Sequence, residues 1–196
     1  LATIYSHEKH LIDALKKDLG REETVSYSAE LHPLRRELRY FLRHLSDILE
    51  PKKTLLPPLL FPSSARELKQ PKGKILIIGP FNYPINLSLI PLVGAVAAGN
   101  KVVLKPSERT PNVSKSIKKL LEEAFPEGDV RVEEGGKETV QSLLEEDFDH
   151  IFFTGSLITG RILYEKAAEK MISITLELGG KCPAILWNPK SMKLAI

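Results

Sequence analysis

A doubly wound parallel sheet, entered from N-terminal amphipathic helices, is the α/β architecture that this chain of 196 residues encodes. Three features carry that expectation. Residues 75–78 and 102–104 are short apolar runs rich in β-branched side chains, the mark of buried strands, and they flank a segment of helical length. Three more such runs follow, at 130–132, 150–153 and 172–176, with helix-forming segments between the first four and again before the last. Strands alternating with helices at this spacing form parallel sheets with crossover helices. The segment ahead of them carries apolar residues at helical rather than strand period.

In chain order, Ile4, Leu11, Leu15 and Leu19 lie on one helical face and Gly20 closes that helix. A second helix is expected over 29–49, where Leu31, Leu34, Leu38, Phe41, Leu42, Leu45 and Ile48 form one stripe. Such a stripe serves a coiled-coil seam or a face packed on a neighbouring unit, and the short length favours the second. The proline-rich residues 51–62 predict a wrapping connector without regular helix, and 65–72 an edge strand or hairpin arm.

Gly79-Pro80 ends the first strand of the main sheet, Pro84 suits the first turn of the next helix, and Gly99-Asn100 suits its end. Two adjacent parallel strands joined in this way usually bind a ligand at their carboxyl ends. Thr110 then caps a helix with Pro111 at its first position and Val113, Ile117, Leu120, Leu121 and Ala124 on its buried stripe. Gly135-Gly136 turns into a helix carrying Val140, Leu143 and Leu144, and Gly155-Ser156 opens another that runs to about Lys170. Residues 183–187 break the rhythm, since no helix separates them from the fifth strand, so the chain is expected to leave for another domain there.

Composition narrows the function. With 28 basic and 25 acidic residues the formal charge is +3, too balanced for a nucleic-acid partner. A single cysteine allows no internal disulfide and fits a reducing compartment. Residues 85–98 are the most apolar stretch, but Asn86, Ser88 and Pro91 interrupt it, and it falls short of the roughly 20 apolar residues of a membrane span. The five histidines are scattered, with no pair at metal spacing. The chain begins inside an amphipathic segment without an initiator Met, and is expected to be a fragment.

Five strings in order, Gly79-Pro80-Phe81-Asn82-Tyr83-Pro84, Ala97-Ala98-Gly99-Asn100, Leu104-Lys105-Pro106-Ser107-Glu108, Phe153-Thr154-Gly155-Ser156 and Leu176-Glu177-Leu178-Gly179-Gly180-Lys181, resemble the nucleotide-binding domain of the aldehyde dehydrogenases. The compact N-terminal region resembles their class 3, fatty-aldehyde branch. The resemblance implies a Rossmann-like fold and a division into N-terminal helices with connector at 1–72, a nucleotide-binding domain at 73–182, and a passage from 183 to a catalytic domain beyond the chain. It also implies attack of a cysteine thiolate on an aldehyde, oxidation by NAD or NADP, and hydrolysis of the thioester. A homodimer is expected of the full-length protein, in the cytoplasm or on the cytoplasmic face of an internal membrane, with a membrane tail beyond Ile196 left open.

By that resemblance Asn82 is the oxyanion donor, since a side-chain amide can donate to a developing negative oxygen; by residue type alone a turn Asn is the favoured reading. Glu177 matches the general base, and partial burial between Leu176 and Leu178 would raise its pKa toward a useful range; by pattern alone it is an outward strand residue. Lys105 and Glu108 match residues beside the adenine-side ribose, where a carboxylate favours NAD over NADP, although this branch tolerates both. Gly155, Ser156 and Gly160 resemble the pyrophosphate contact at a helix N-terminus, while Gly79 and Pro80 border the cofactor from the other side. No G-x-G-x-x-G follows the first strand, Leu157 replaces a small hydroxyl residue, and Phe81 stands where many relatives carry Trp.

Cys182 sits where the family usually has Ser. Beside Pro183 and with no activating His nearby in sequence, it is expected to be a small packed residue. The nucleophile is then expected beyond Ile196, and the chain alone is expected to oxidise no aldehyde. A truncated nucleotide-binding or interaction protein is the alternative; an acyl-phosphate-type reductase fits the complete Glu177 motif less well.

Overall fold

The computed structural model describes residues 1–183, so the expected departure of the chain after Pro183 lies almost wholly outside the described residues. Helix α1 (Ala2–Leu19) ends at Gly20, whose φ of 64° suits a residue without Cβ and turns its N–H back to the Lys16 carbonyl. Helix α2 (Glu23–Ser26) runs through a π-helical turn, Tyr27–Leu31, directly into α3 (His32–Leu49). The second helical segment therefore starts well before residue 29. Its first turns lack an apolar stripe and are held instead by tertiary contacts at Ser26 and Glu30, both fully buried.

The π turn has a local cause. Pro33 has no N–H to offer the carbonyl of Ala29, four residues back, and that carbonyl accepts from Asn86 Nδ2 at 3.0 Å instead. The stripe on α3 is only partly covered: Leu34 is buried, Leu38, Phe41, Leu45 and Ile48 are half-buried, and Leu42 is exposed. The connector holds β1 (Lys52–Thr54), a short 3-10 turn at Pro58–Leu60 and β2 (Ala65–Glu67), which pairs antiparallel with β1. Of the two options for 65–72, the hairpin arm is the one found.

The main sheet contains β3 (Lys74–Ile78), β4 (Lys101–Lys105), β5 (Val130–Val132), β6 (His150–Gly155) and β7 (Ser173–Leu178), in the order β5-β4-β3-β6-β7 with every pairing parallel. Its crossovers are α4 (Asn86–Ala97), α5 (Pro111–Ala124), α6 (Lys137–Glu145) and α7 (Leu157–Glu169). Strand alternation divides the core in two. Ile75, Ile77, Val102 and Leu104 join α1, α3, α4 and α5 on one face, whereas Leu76, Ile78 and Val103 join Leu143, Leu163 and Ala167 of α6 and α7 on the other. A one-residue slip would exchange these sets, so the register is strongly specified.

Two helix starts differ from expectation. Pro84 lies in the turn just before α4, where the Leu87 amide already donates to the Tyr83 carbonyl across it, and the Glu30 carboxylate caps the free amides of Ile85 and Asn86. Thr110 stands at the cap position of α5, but its hydroxyl turns back toward the Ser107 carbonyl. Asp18 of α1 supplies the cap instead, accepting from Val113 N at 2.8 Å and Asn112 Nδ2 at 2.6 Å. Ala124, placed on the buried stripe by its spacing, is exposed at the last turn of α5.

Candidate active site

The strand order reverses between β3 and β6: the chain runs outward from β3 to β5, then returns to lie on β3's other side. In open α/β sheets the crevice outside the carboxyl ends at such a point is where ligands bind. All nine residues singled out above, Gly79, Pro80, Asn82, Lys105, Glu108, Gly155, Ser156, Gly160 and Glu177, fall at or just beyond the carboxyl ends of β3, β4, β6 and β7.

Gly79 extends the ladder past β3, donating to the Lys105 carbonyl at 3.0 Å, and a Cβ there would come within 2.0 Å of Ser88 Oγ. Its lack of a side chain is thus required by the close approach of α4. Pro80 and the exposed Phe81 lead to Asn82, also exposed. Asn82 Oδ1 accepts from Tyr83 N at 3.0 Å, and its backbone carbonyl accepts from Arg21 Nη2 at 2.6 Å. The amide nitrogen Nδ2 has no partner among the described residues. Both the turn role and a donor role are therefore compatible in one side chain: its oxygen is tied locally and its N–H groups are available.

Lys105 is 3% exposed, and its ammonium donates to Glu108 Oε2 at 2.6 Å. Burial works against the charged Glu108 carboxylate, but the Lys105 hydrogen bond, a backbone N–H and the charges of Lys105 and Arg109 outweigh it and hold the carboxyl below its ordinary range. The pair is half-open to solvent on the carboxylate side. Ribose hydroxyls can meet a donor and an acceptor there.

Ser156 caps α7, accepting from Thr159 N at 3.2 Å, and its hydroxyl donates to Thr159 Oγ1. The first turn of α7 contains no acidic residue, so its free amides and dipole suit an anion. Gly160 faces the sheet: a Cβ would lie 2.7 Å from Leu178 Cδ2, so this glycine lets α7 settle on β7 rather than lining the crevice. At Gly179 and Gly180 a Cβ would meet no described residue within 4 Å, which suits close approach of a ligand to the backbone.

Glu177 is exposed, contrary to the expected partial burial. It lies on β7, one of the two edge strands of the sheet among the described residues, at an outward position that no described residue covers. Cys182 is exposed as well, not packed as expected, because it follows β7 beyond the last strand pairing. Among the described residues no group of three His, Cys, Asp or Glu is placed to hold a metal ion.

Two residues of the site were not anticipated. Arg21 and Glu30 form an ion pair at 2.7 Å, with Glu30 0% exposed. Glu30 Oε2 also accepts from Ile85 N at 3.2 Å and Asn86 N at 2.8 Å, capping α4 from a distant part of the chain. Burial raises the Glu30 carboxyl above its ordinary range, while the Asn86 amide and Arg21 pull it back. The one sequence signal was a Glu beside Leu31 at the start of an apolar stripe, which resembles any solvated helix charge.

An available amide donor, a Lys–Glu ion pair and a side-chain-capped helix N-terminus thus lie along the carboxyl edge of an open α/β sheet. The family model described as the aldehyde dehydrogenase family matches residues 1–196, and the chain belongs to that family. It is 41% identical over 192 residues to the 4,4'-diaponeurosporen-aldehyde dehydrogenase of Staphylococcus aureus, covering 98% of this chain and 42% of that one. To aldehyde dehydrogenase family 3 member H1 of Arabidopsis thaliana it is 39% identical, covering 97% and 40%, which agrees with the class 3 resemblance. The NAD+ complex of an aldehyde dehydrogenase from Bacillus cereus superposes with a TM-score of 0.81 at 27% identity, over 98% of this chain and 40% of that one. The chain thus spans about two fifths of the length of the curated relatives it matches. No helix among the described residues is long and apolar enough to cross a membrane.

Proposed function

We propose that this chain is the cofactor-binding and oxyanion-binding part of an NAD(P)-dependent aldehyde dehydrogenase whose cysteine nucleophile lies outside residues 1–196. The observation that carries the reading is the Asn82 amide, tethered through its oxygen with its nitrogen left to donate, at the strand-order reversal of a sheet whose family is established. In this reading residues 73–182 form the nucleotide-binding unit, 1–72 brace it, and the chain passes from 183 toward the catalytic part.

The residues fit the cofactor. Open backbone at Gly179-Gly180 would let the cofactor come close, the α7 N-terminus behind Ser156 would hold the pyrophosphate and the Lys105–Glu108 pair the ribose, with Gly79, Pro80 and Gly155 bordering them at the strand ends, where a Cβ on Gly79 or Gly155 would run into Ser88 or Phe153. A bound nicotinamide supplies the acceptor for the aldehyde's electrons. The charged Glu108 favours NAD. Asn82 Nδ2 donates to the oxygen on which negative charge develops, an interaction whose loss typically costs about 3 kcal/mol of transition-state stabilisation. Glu177, open to solvent, accepts a proton from the water that releases the acid.

A medium- or long-chain aliphatic aldehyde is the proposed substrate, supported by the diaponeurosporen-aldehyde in the name of the S. aureus relative and by the exposed aromatic rings of Phe81 and Tyr83 beside Asn82. The full-length protein is proposed to be a homodimer, a reading supported by exposed Ile158 and Ile162 on α7 and Leu55, Leu59 and Phe61 in the connector. The test is Asn82→Ala in the full-length protein: aldehyde-dependent NADH formation is expected to fall at least about a hundredfold in kcat, with NAD+ affinity by isothermal titration unchanged. An unchanged kcat would refute the oxyanion role, and failure of the wild type to bind NAD+ would refute the cofactor site.

A further inference from the structure

Asn82 is held by more than its own turn. Arg21 follows Gly20 at the break after α1, and its guanidinium makes three contacts at once. Nη1 donates to Glu30 Oε1 at 2.7 Å, Nη2 donates to the Asn82 carbonyl at 2.6 Å, and the group lies over the Tyr83 ring at 4.9 Å. The peptide between Asn82 and Tyr83 is thereby pinned from both ends: its C=O by Arg21, its N–H by the Asn82 side-chain oxygen. Rotating that peptide plane would break both bonds and swing the Asn82 amide. Arg21 is itself anchored, since Glu30 is fully buried and its second oxygen grips the first amides of α4.

We propose that Arg21 is a positioning residue for the oxyanion donor, fixing the direction of Asn82 Nδ2 from the N-terminal helices through the Asn82 carbonyl and the Tyr83 ring. The inference rests on the oxyanion reading of Asn82. A planar guanidinium suits this arrangement, because two separate nitrogens donate to Glu30 and to the Asn82 carbonyl while the flat group lies on the Tyr83 ring, whereas an ammonium must donate to both from one nitrogen. Misplacing a reacting group by about 1 Å can cost about a hundredfold in rate, so loosening one bond of this brace is expected to cost about tenfold.

The experiment compares Arg21→Lys, Arg21→Gln, Asn82→Ala and the Arg21→Lys/Asn82→Ala double variant in the full-length protein. Lysine keeps a charge opposite Glu30, so that variant retains the fold even if Arg21→Gln does not. Single-turnover NADH formation, aldehyde KM, NAD+ affinity and thermal midpoint are measured. Arg21→Lys is expected to lower the single-turnover rate about tenfold with KM and NAD+ affinity within about twofold, and to add less than about twofold to the loss in Asn82→Ala, as two residues acting through one group do. A lowered thermal midpoint with an unchanged rate would overturn the proposal and leave Arg21 a structural brace. So would losses that multiply in the double variant. If Asn82→Ala itself leaves the rate intact, the oxyanion reading falls and the positioning role with it.

Discussion

The two edges of the main sheet use the same strands for opposite ends. At the amino edge polar groups satisfy one another. Lys74 pairs with Glu146, which also pairs with Arg131; Asp149 accepts from Lys74 N; Asn100 accepts from Gly73 N and donates to the Ala95 carbonyl; both ring nitrogens of His150 meet hydroxyls, of Ser173 and Thr175. At the carboxyl edge the Asn82 amide nitrogen has no described partner, Glu177 is exposed, and the glycines leave backbone bare. Groups that close on themselves hold the sheet together, and groups left open are available to a ligand. The carboxyl edge has one saturated element, the Arg21–Glu30 brace, and it lies under the loop that carries Asn82.

That contrast can be broken most sharply at Glu30. Glu30→Ala would leave Arg21 without its buried partner and the Ile85 and Asn86 amides uncapped, and is expected to destabilise the full-length protein by about 3 kcal/mol or more in urea unfolding. A cost under about 1 kcal/mol would show that the brace is not a buried unit.

Gly79 tests the closeness of the carboxyl edge to α4. Gly79→Ala forces a methyl toward Ser88 Oγ, a buried hydroxyl with no partner among the described residues, and is expected to cost about 1–3 kcal/mol. Ser88→Ala alone should be neutral or stabilising, since it removes an unsatisfied polar atom, and should recover part of the loss when combined with Gly79→Ala. Strict additivity would mean that the strain lies elsewhere.

The smallest effect belongs to the amino edge. Burial, and then the nearby Lys72, lowers the His150 pKa below its ordinary 6.5. The folded protein then binds this proton less readily than the unfolded chain. Its contribution to stability is complete above about pH 6.5 and is lost as pH falls through that value toward the lower folded pKa. Between about pH 7.5 and 5.5, His150→Gln is expected to lose less stability than wild type, by under about 1 kcal/mol. An identical pH slope in the two proteins would contradict the shift.

What was legible in the sequence was what repeats or sits next to itself in the chain. The β-branched runs at 75–78 and 102–104 placed the central strands, the Gly20 stop ended α1, and five short strings placed the site at the strand ends. What was misplaced depended on partners far away in sequence. The cap of α5 comes from Asp18 rather than Thr110, Glu30 caps α4 just after Pro84, and the early start of the second helix goes with the buried Ser26 and Glu30.

The sequence alone therefore determined the α/β alternation, the doubly wound parallel sheet and the family, because hydrophobic period and local motifs are properties of neighbours along the chain. Only the tertiary structure decided that Glu177 stands exposed on an edge strand and that Arg21, 61 residues away, holds Asn82. Burial and capping depend on which surfaces meet, and a guanidinium finds a carbonyl only after the helices that carry it have packed.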